Sequence, residues 1–363
     1  MNTYPTKLAE AFALEALPIF YRTAVAPSIT NTDYEGQIEN KTSILNIPTL
    51  GAIETHNYTG ADMTADDISE SNAQLKTDQA KYVYFTVKSW DKFRSYIKNP
   101  ENPIAKQVAA EVKKVIDIYV LGFYVDAGAG NWIGTSYTTG TVSISDTGVV
   151  TGSNTVFTEA MEGKPFKADG HDVWYRVKTY TSGTEITIED DSDDLTSDYT
   201  GGVIAATATF EIQANTAITV TKSTIFAYFM EMQTRLTNAE VPEEDRWAVL
   251  PAKLAALLRQ APEYVGVGSE GGRADVQNGR LPVKFAGFNI FEVSDARISG
   301  NNTDGYYVMF GHISAITFAM GMTENGVEDA IKNFGQRIKQ LYVYGAKVPD
   351  ERRKALGVAL LKA

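Results

Sequence analysis

Asn102–Ala127 reads NPIAKQVAAEVKKVIDIYVLGFYVDA, and its periodicity decides how the rest of the chain is taken. Pro103 stands in the first turn, where a helix tolerates proline. Ile104, Val108, Val112, Val115, Ile116, Tyr119 and Phe123 recur every three or four residues and so share one face. Glu111, Lys113, Lys114 and Asp117 fall largely on the other side. About 25 residues in a helix make a rod of roughly 38 Å. Tyr119–Val125 is apolar nearly all round, which predicts that this end is buried while the Lys113 end meets solvent. A long half-buried helix in mid-chain is a spine, and its neighbours in sequence are expected to pack against it.

At 363 residues the chain exceeds what one hydrophobic core usually supports, so two or three compact parts are expected. Its 44% hydrophobic and 21% charged residues are ordinary for a soluble globular protein. No apolar run approaches bilayer length. The opening MNTYPTKLAEAF lacks the basic start, apolar stretch and cleavage site of a signal peptide. With no cysteine, disulfides, thiolate nucleophiles and cysteine-ligated metals are excluded. A net charge of −12 with no basic patch argues against a direct grip on nucleic acid.

Before the spine, Leu8–Ala24 predicts a short helix, followed by a loop around Pro27 and a brief strand at Ile44, Leu45 and Ile47. Ser43–Ile53 and Lys81–Trp90 predict two strands flanking a polar loop, Glu54–Ala80, which reads either as a disordered surface loop or as a two-stranded extension ordered against a neighbouring chain. In the second strand Val83, Phe85 and Val87 point one way, with Tyr82, Tyr84, Thr86 and Lys88 opposite. After the spine, Gly134–Tyr199 turns rich in Thr, Ser, Gly and Asp. It has short alternating runs at Thr141–Ser145, Thr155–Phe157, Asp172–Thr181 and Glu185–Ile188. That spacing suggests a small antiparallel sandwich or barrel, inserted over roughly Gly134–Ile212.

Helix Thr221–Asn238 follows, with Ile225, Phe229, Met232 and Leu236 on one stripe read as core. Then come a strand at Trp247–Leu250, a helix started by Pro251, a Gly-rich loop at Gly266–Gly279 and a strand at Phe285–Val293. Tyr306–Met322 is apolar and predicts interior chain; Gly335–Val348 predicts a long strand, and a short C-terminal helix ends the reading. The fold class is α+β with an inserted all-β part.

Chemistry is sparse. Gly266–Gly271 matches G-x-G-x-x-G, but no strand precedes it and no helix follows, so the glycines read as a loop rather than a phosphate cradle. Glu189–Asp194 is oxygen-rich but lacks the Gly and distal Glu of a calcium loop, and reads as a solvated turn. His56, His171 and His312 are scattered outside any triad or metal spacing. No catalytic, cofactor-binding or metal residue is assigned, no cofactor is expected, and the chain does not read as an enzyme.

The order of parts carries the decisive resemblance. An arm containing Asn31-Thr32-Asp33-Tyr34-Glu35-Gly36, a polar loop between strands and then a spine helix resemble the tailed-phage major capsid proteins. Asn238–Leu250, reading NAEVPEEDRWAVL, is similar to that family's "N-V-P-x-x-x-R-x-x-V-L-P" segment. Gly287–Ser294 resembles its "G-F-x-I-Y-x-S" strand, and Phe310–Phe318 and Leu341–Gly345 its "A-x-x-F-A" and "Y-G" portions. The resemblance covers all but Gly134–Ile212, which is similar to small "G-T-V-x-x-T-G-S-x-T-x-F-T" modules of phage structural proteins. No covalent cross-linking motif is matched.

The resemblance implies the Hong Kong-phage capsid fold, divided as 1–50 N-terminal arm, 51–92 E-loop, 93–133 spine helix of the peripheral domain, 134–212 β-insert, 213–334 axial domain with remaining peripheral elements, and 335–363 C-terminal strand and tail. It implies an icosahedral shell of hexamers and pentamers around DNA that it does not bind specifically. Portal, scaffold and decoration proteins are expected partners, with a virion location, assembly in the host cytoplasm and no membrane association. Two other readings stand beside it: an encapsulin-type cargo shell, and a carbohydrate-binding or adhesion protein using the β-insert.

Overall fold

The computed structural model describes residues 24–33, 44–50, 70–88, 101–191, 198–262, 284–329 and 334–363. The predicted helix at Leu8–Ala24 (but for its last residue), the tip of the polar loop and the Gly-rich loop at Gly266–Gly279 lie outside the described residues. The chain divides into two compact units. One includes Asn31–Val115 and Thr317–Lys347; the other comprises Val25–Thr30, Ile116–Ile316 and Val348–Ala363.

In the first unit, a three-stranded antiparallel sheet runs in the order Thr317–Asp329, Gly335–Lys347, Gln79–Lys88. The alternation read in Gln79–Lys88 holds: Tyr82, Tyr84 and Thr86 are exposed while Val83 and Phe85 are half-buried. Its partner is not the strand across the polar loop but the distant Gly335–Lys347, with Phe85 opposite Ile338 and Tyr82 opposite Leu341. Ile44–Leu50 instead pairs with Glu70–Lys76, a strand inside the stretch expected to be loop. That segment, ESNAQLK, carries too few β-branched or aromatic residues to announce itself, and pairing with ILNIPTL supplies what propensity lacks. Ile47 and Leu75 are fully buried against Ala319, anchoring the base of this ribbon on the sheet. Gly345 permits the close approach: a Cβ there would sit 2.2 Å from the Lys76 carbonyl oxygen.

The spine helix spans Glu101–Leu121 and then tightens into a 3-10 segment, Gly122–Asp126. The sequence reading carried it through to Ala127; Gly122, a poor helix former, is where the α-geometry stops. With three residues per turn beyond that point, Phe123 leaves the apolar stripe. It is half-buried and meets Tyr119 edge-on, with ring centroids 5.2 Å apart. Ile116, Val120 and Leu121 are buried, but Ile118 is 43% exposed, so the expected all-round burial of this end is not found in the subunit.

The second unit holds a mixed sheet ordered Ile218–Thr219, Leu356–Lys362, Gly305–His312, Arg246–Pro251, Phe288–Val293, Lys284–Phe285, with Trp132–Ile133 also parallel to Leu356–Lys362. All six residues of Arg246–Pro251 are buried. Helix Ile225–Asn238 buries the predicted stripe of Ile225, Phe229, Met232 and Leu236. Phe229 packs edge-to-face on Phe285 and Phe288 at 5.4 and 6.2 Å. A tight hairpin joins those last two residues through Ala286 and Gly287, both at positive φ (48° and 82°), as a primed turn requires. The apolar Tyr306–Met322 is split between two strands, Gly305–His312 and Thr317–Asp329. The expected C-terminal helix is absent: Asp350–Ala355 makes one 3-10 segment, and Leu356–Lys362 is a strand buried almost throughout. LGVALLK is apolar on both faces because both are covered, and such a run carries no period to tell strand from helix.

Strands between Thr135 and Thr216 form a separate eight-stranded antiparallel sheet in the same unit. Its order is Ile204–Ala208, Thr141–Ile144, Val149–Ser153, Glu185–Asp190, Tyr175–Ser182, Pro165–Ala168, Phe210–Thr216, Thr135–Tyr137. Val142, Val150, Phe166, Ile186, Ile188 and Phe210 converge on one core, which Phe157 joins. Thr155–Phe157, expected as a strand, is a loop that plugs the core with Phe157, whereas Val149–Ser153 and Pro165–Ala168 are strands that alternation did not show.

Candidate assembly surface and the joints behind it

In the first unit the exposed face of Gln79–Lys88 is unusually apolar. Tyr82 is 78% and Tyr84 50% exposed, and with Lys339, Gln340 and Leu341 they line a shallow groove of about 250 Å³. Alternation puts them there: the opposite positions face inward, so both phenols project outward together. Ile44, at the base of the ribbon, is 54% exposed. Single exposed apolar residues need no explanation, but aromatic side chains gathered on one face of an edge strand are the composition of a contact surface.

Three polar joints hold the second unit. Asp117, on the polar side of the spine helix, is almost completely buried. It accepts the backbone N–H groups of Val25 and Ala26, both at 3.0 Å, and the Arg297 guanidinium at 2.6 Å. The first two bonds satisfy orphan donors at the start of the short helix Ala26–Ile29, so one carboxylate ties Val25–Thr30 and Arg297 to the spine. Arg246, the arginine of the NAEVPEEDRWAVL segment, is buried and turns back on the end of helix Ile225–Asn238. It donates to Thr237 Oγ1 (3.1 Å), Val241 O (2.5 Å) and Pro242 O (2.8 Å), satisfying carbonyls that the helix terminus and turn leave open. Asp191 receives Arg176 at 3.0 Å, Arg353 and the Ala129 N–H at 3.3 Å, joining the eight-stranded sheet to the 3-10 segment Asp350–Ala355. The sequence places Asp117 only on the polar side of the spine and Arg246 only within a matched segment, and it reads the acidic run around Asp191 as a solvated turn. The structure corrects that for Asp190, whose carboxylate holds Thr200 N and Oγ1, and for Asp191; Asp193 and Asp194 lie outside the described residues.

His171 and His312 are in different elements, and His56 lies outside the described residues. His171 Nε2 lies 3.2 Å from Gly202 O beside Tyr175 and Tyr199, whereas His312 Nδ1 meets Ser314 Oγ at 2.7 Å. Burial lowers the His312 pKa, against Asp245, with Arg246 and Arg352 adding to the lowering. Lys164, 4% exposed, donates to Asn215 O at 2.9 Å, and desolvation lowers its pKa to about 8. Among the described residues no group of three or more His, Asp or Glu is placed to hold a metal ion.

No protein-family model and no curated protein matches the chain. Solved structures do. A chain of Mycobacterium phage Che8 superposes with a TM-score of 0.57 at 19% identity, covering 96% of this chain and 94% of that one. The capsid structure of the cyanophage P-SCSP1u matches with a TM-score of 0.56 at 13% identity, covering 96% and 91%. The mature capsid of bacteriophage PhiM1 matches at 0.52 and 10% identity, covering 95% and 92%. The chain has the fold of phage capsid proteins.

Proposed function

We propose that this chain is the major capsid protein of a tailed bacteriophage, building the icosahedral head from hexamers and pentamers of itself. The observation that carries this is the breadth of the shared fold: matches to phage capsid structures extend over at least 95% of the chain and over 91% or more of the partners. A two-stranded ribbon anchored at its base, and a sheet edge bearing Tyr82 and Tyr84, leave surface that a neighbouring copy would bury.

In this reading residues 1–50 are the arm, 51–92 the E-loop, 93–133 the spine helix of the peripheral domain, 134–212 an inserted domain, 213–334 the axial domain with remaining peripheral elements and 335–363 the closing strand and tail. The common core of the eight-stranded sheet, whose buried members run from Val142 to Ile212, supports the assignment of an insert. Assembly takes place in the host cytoplasm with scaffold and portal proteins, and DNA is enclosed without specific binding. Electron microscopy of the purified protein tests the reading. Closed shells are expected; monodisperse single subunits under all assembly conditions would refute it, and shells that enclose an enzyme rather than DNA would identify a cargo compartment instead.

A further inference from the structure

The eight-stranded sheet joins the rest of its unit through two chain crossings that lie side by side. Going in, Trp132–Ile133 runs parallel to Leu356–Lys362, and Gly134 leads straight into Thr135–Tyr137. Coming out, Phe210–Thr216 leads through Ala217 to Ile218–Thr219, which is parallel to the same strand. Thr135–Tyr137 and Phe210–Thr216 pair with each other, but the register slips between Ile212 and Thr216, where Ala214 takes a φ of 48°. Gly134 presses on that irregularity: a Cβ there would lie 2.6 Å from Ala214 Cα. A bulged strand bends where its ladder is interrupted.

Away from these crossings the joint is polar. Asp191, just past the strand Glu185–Asp190, sits between Arg176 of the sheet at 3.0 Å and Arg353 of the 3-10 segment, and both arginines are almost fully buried. Ala129 N–H adds a bond of 3.3 Å to the same carboxylate, and Gly130 N–H donates to Gln213 at 3.1 Å. Arg353 also donates to Asp126 O at 3.1 Å and passes 3.7 Å from Asp350. Beside Asp191 opens a cleft of about 690 Å³, with Val173 and Trp174 on the sheet side and Arg235, Asn238 and Lys354 opposite. The sheet's own buried core is made by residues between Val142 and Ile212, so it travels with the sheet. Bodies joined through polar contacts move relative to each other by default.

We infer that the sheet is a hinged body: it turns about the paired crossings at Gly134 and Ala214, and Asp191 is the latch that holds it in the position of this structure. One carboxylate compensates two buried cations. Its loss leaves Arg176 and Arg353 facing each other, and a rotation that admits water to the joint relieves them. Arg176 has little else to hold it, since its buried Nε finds no hydrogen-bond partner among the described residues. The use of the hinge rests on the capsid reading. A chain that builds both hexamers and pentamers meets its neighbours at two angles, and a latched sheet settles in each without straining the wall.

The sequence has no cysteine, so spin labels go only where cysteines are introduced. Val156 on the sheet and Met230 on helix Ile225–Asn238, 66% and 41% exposed, are changed together as V156C and M230C. The distance between nitroxides at the two sites is measured by pulsed electron spin resonance in unassembled subunits. One narrow distance is expected in the otherwise unaltered chain, and a broad distribution shifted to a second peak in Asp191→Ala. Asp191→Asn, which keeps an acceptor for the Ala129 N–H without the charge, should fall between them. A pair within the sheet, V156C with V203C, should keep its distance throughout. An unchanged V156C–M230C distance in Asp191→Ala would overturn the hinge. Broadening of the pair within the sheet would do so too, because Asp191 would then belong to the sheet's own fold. An unaltered chain already as broad as Asp191→Ala would remove Asp191 as the latch. In closed shells the V156C–M230C pair should show two distances, and a single one would overturn the use given to the hinge. Subunits that turn in this way but never close into shells would overturn the capsid reading and leave the hinge standing.

Discussion

Asp117→Ala is the substitution that most directly probes how the second unit is held. Asp117 and Arg297 are 1% and 6% exposed, and their contact is 2.6 Å long across 180 residues of sequence. Removing the carboxylate takes one charged contact from Arg297 and leaves the Val25 and Ala26 N–H groups without the acceptor Asp117 supplies. Breaking a buried pair by deleting one partner costs about 3–5 kcal/mol, well above the roughly 1 kcal/mol of an exposed bridge. For a unit of this size about 1 kcal/mol moves the melting temperature by about 2–4 °C. Thermal unfolding of unassembled subunits should therefore show Asp117→Ala melting about 6–20 °C lower. The double variant Asp117→Leu with Arg297→Met, which removes both charges, should recover a large part of the loss. A single variant within about 2 °C of the parent, or a double variant that is worse than the sum of the singles, would refute the clamp.

Lys164 offers a pH-dependent check. Its folded pKa of about 8 lies below the ordinary 10.5, so between those values the unfolded chain binds a proton that the folded chain has released. Stability should rise through that window by roughly 3 kcal/mol, and the full penalty stands at pH 7 and below. Lys164→Met should flatten the slope and raise the melting temperature at pH 7; denaturant titrations that differ by a constant amount from pH 7 to pH 10 would contradict this. Phe229→Ala, at a site 1% exposed between Phe285 and Phe288, should cost about 3–5 kcal/mol, and half-buried Phe123→Ala less than half as much. Equal losses in chemical denaturation would mean that Phe123 is a core residue after all. Replacing Tyr82 and Tyr84 by serine should leave the subunit's stability within about 0.5 kcal/mol while abolishing shells in electron micrographs. Normal shells would remove that face from the assembly surface.

What the sequence determined by itself is local and periodic. The stripe Ile225, Phe229, Met232, Leu236 and the outward set Tyr82, Tyr84, Thr86 were readable because a helix repeats every 3.6 residues and a strand every two, whatever lies elsewhere. The order of such segments, with the NAEVPEEDRWAVL stretch, was enough to point to the fold. Tertiary structure alone decided the rest. Leu356–Lys362 is covered on both faces, which erases the period that would have marked it as a strand. Gln79–Lys88 passes over its sequence neighbour to pair with Gly335–Lys347, a choice set by which apolar faces meet in three dimensions. Asp117 read in sequence as part of a solvent-facing polar side, and nothing in the NAEVPEEDRWAVL segment marked Arg246 as buried. They are buried because the carbonyls, N–H groups and opposite charge that satisfy them converge only when the chain has folded, and no spacing along the sequence records that convergence.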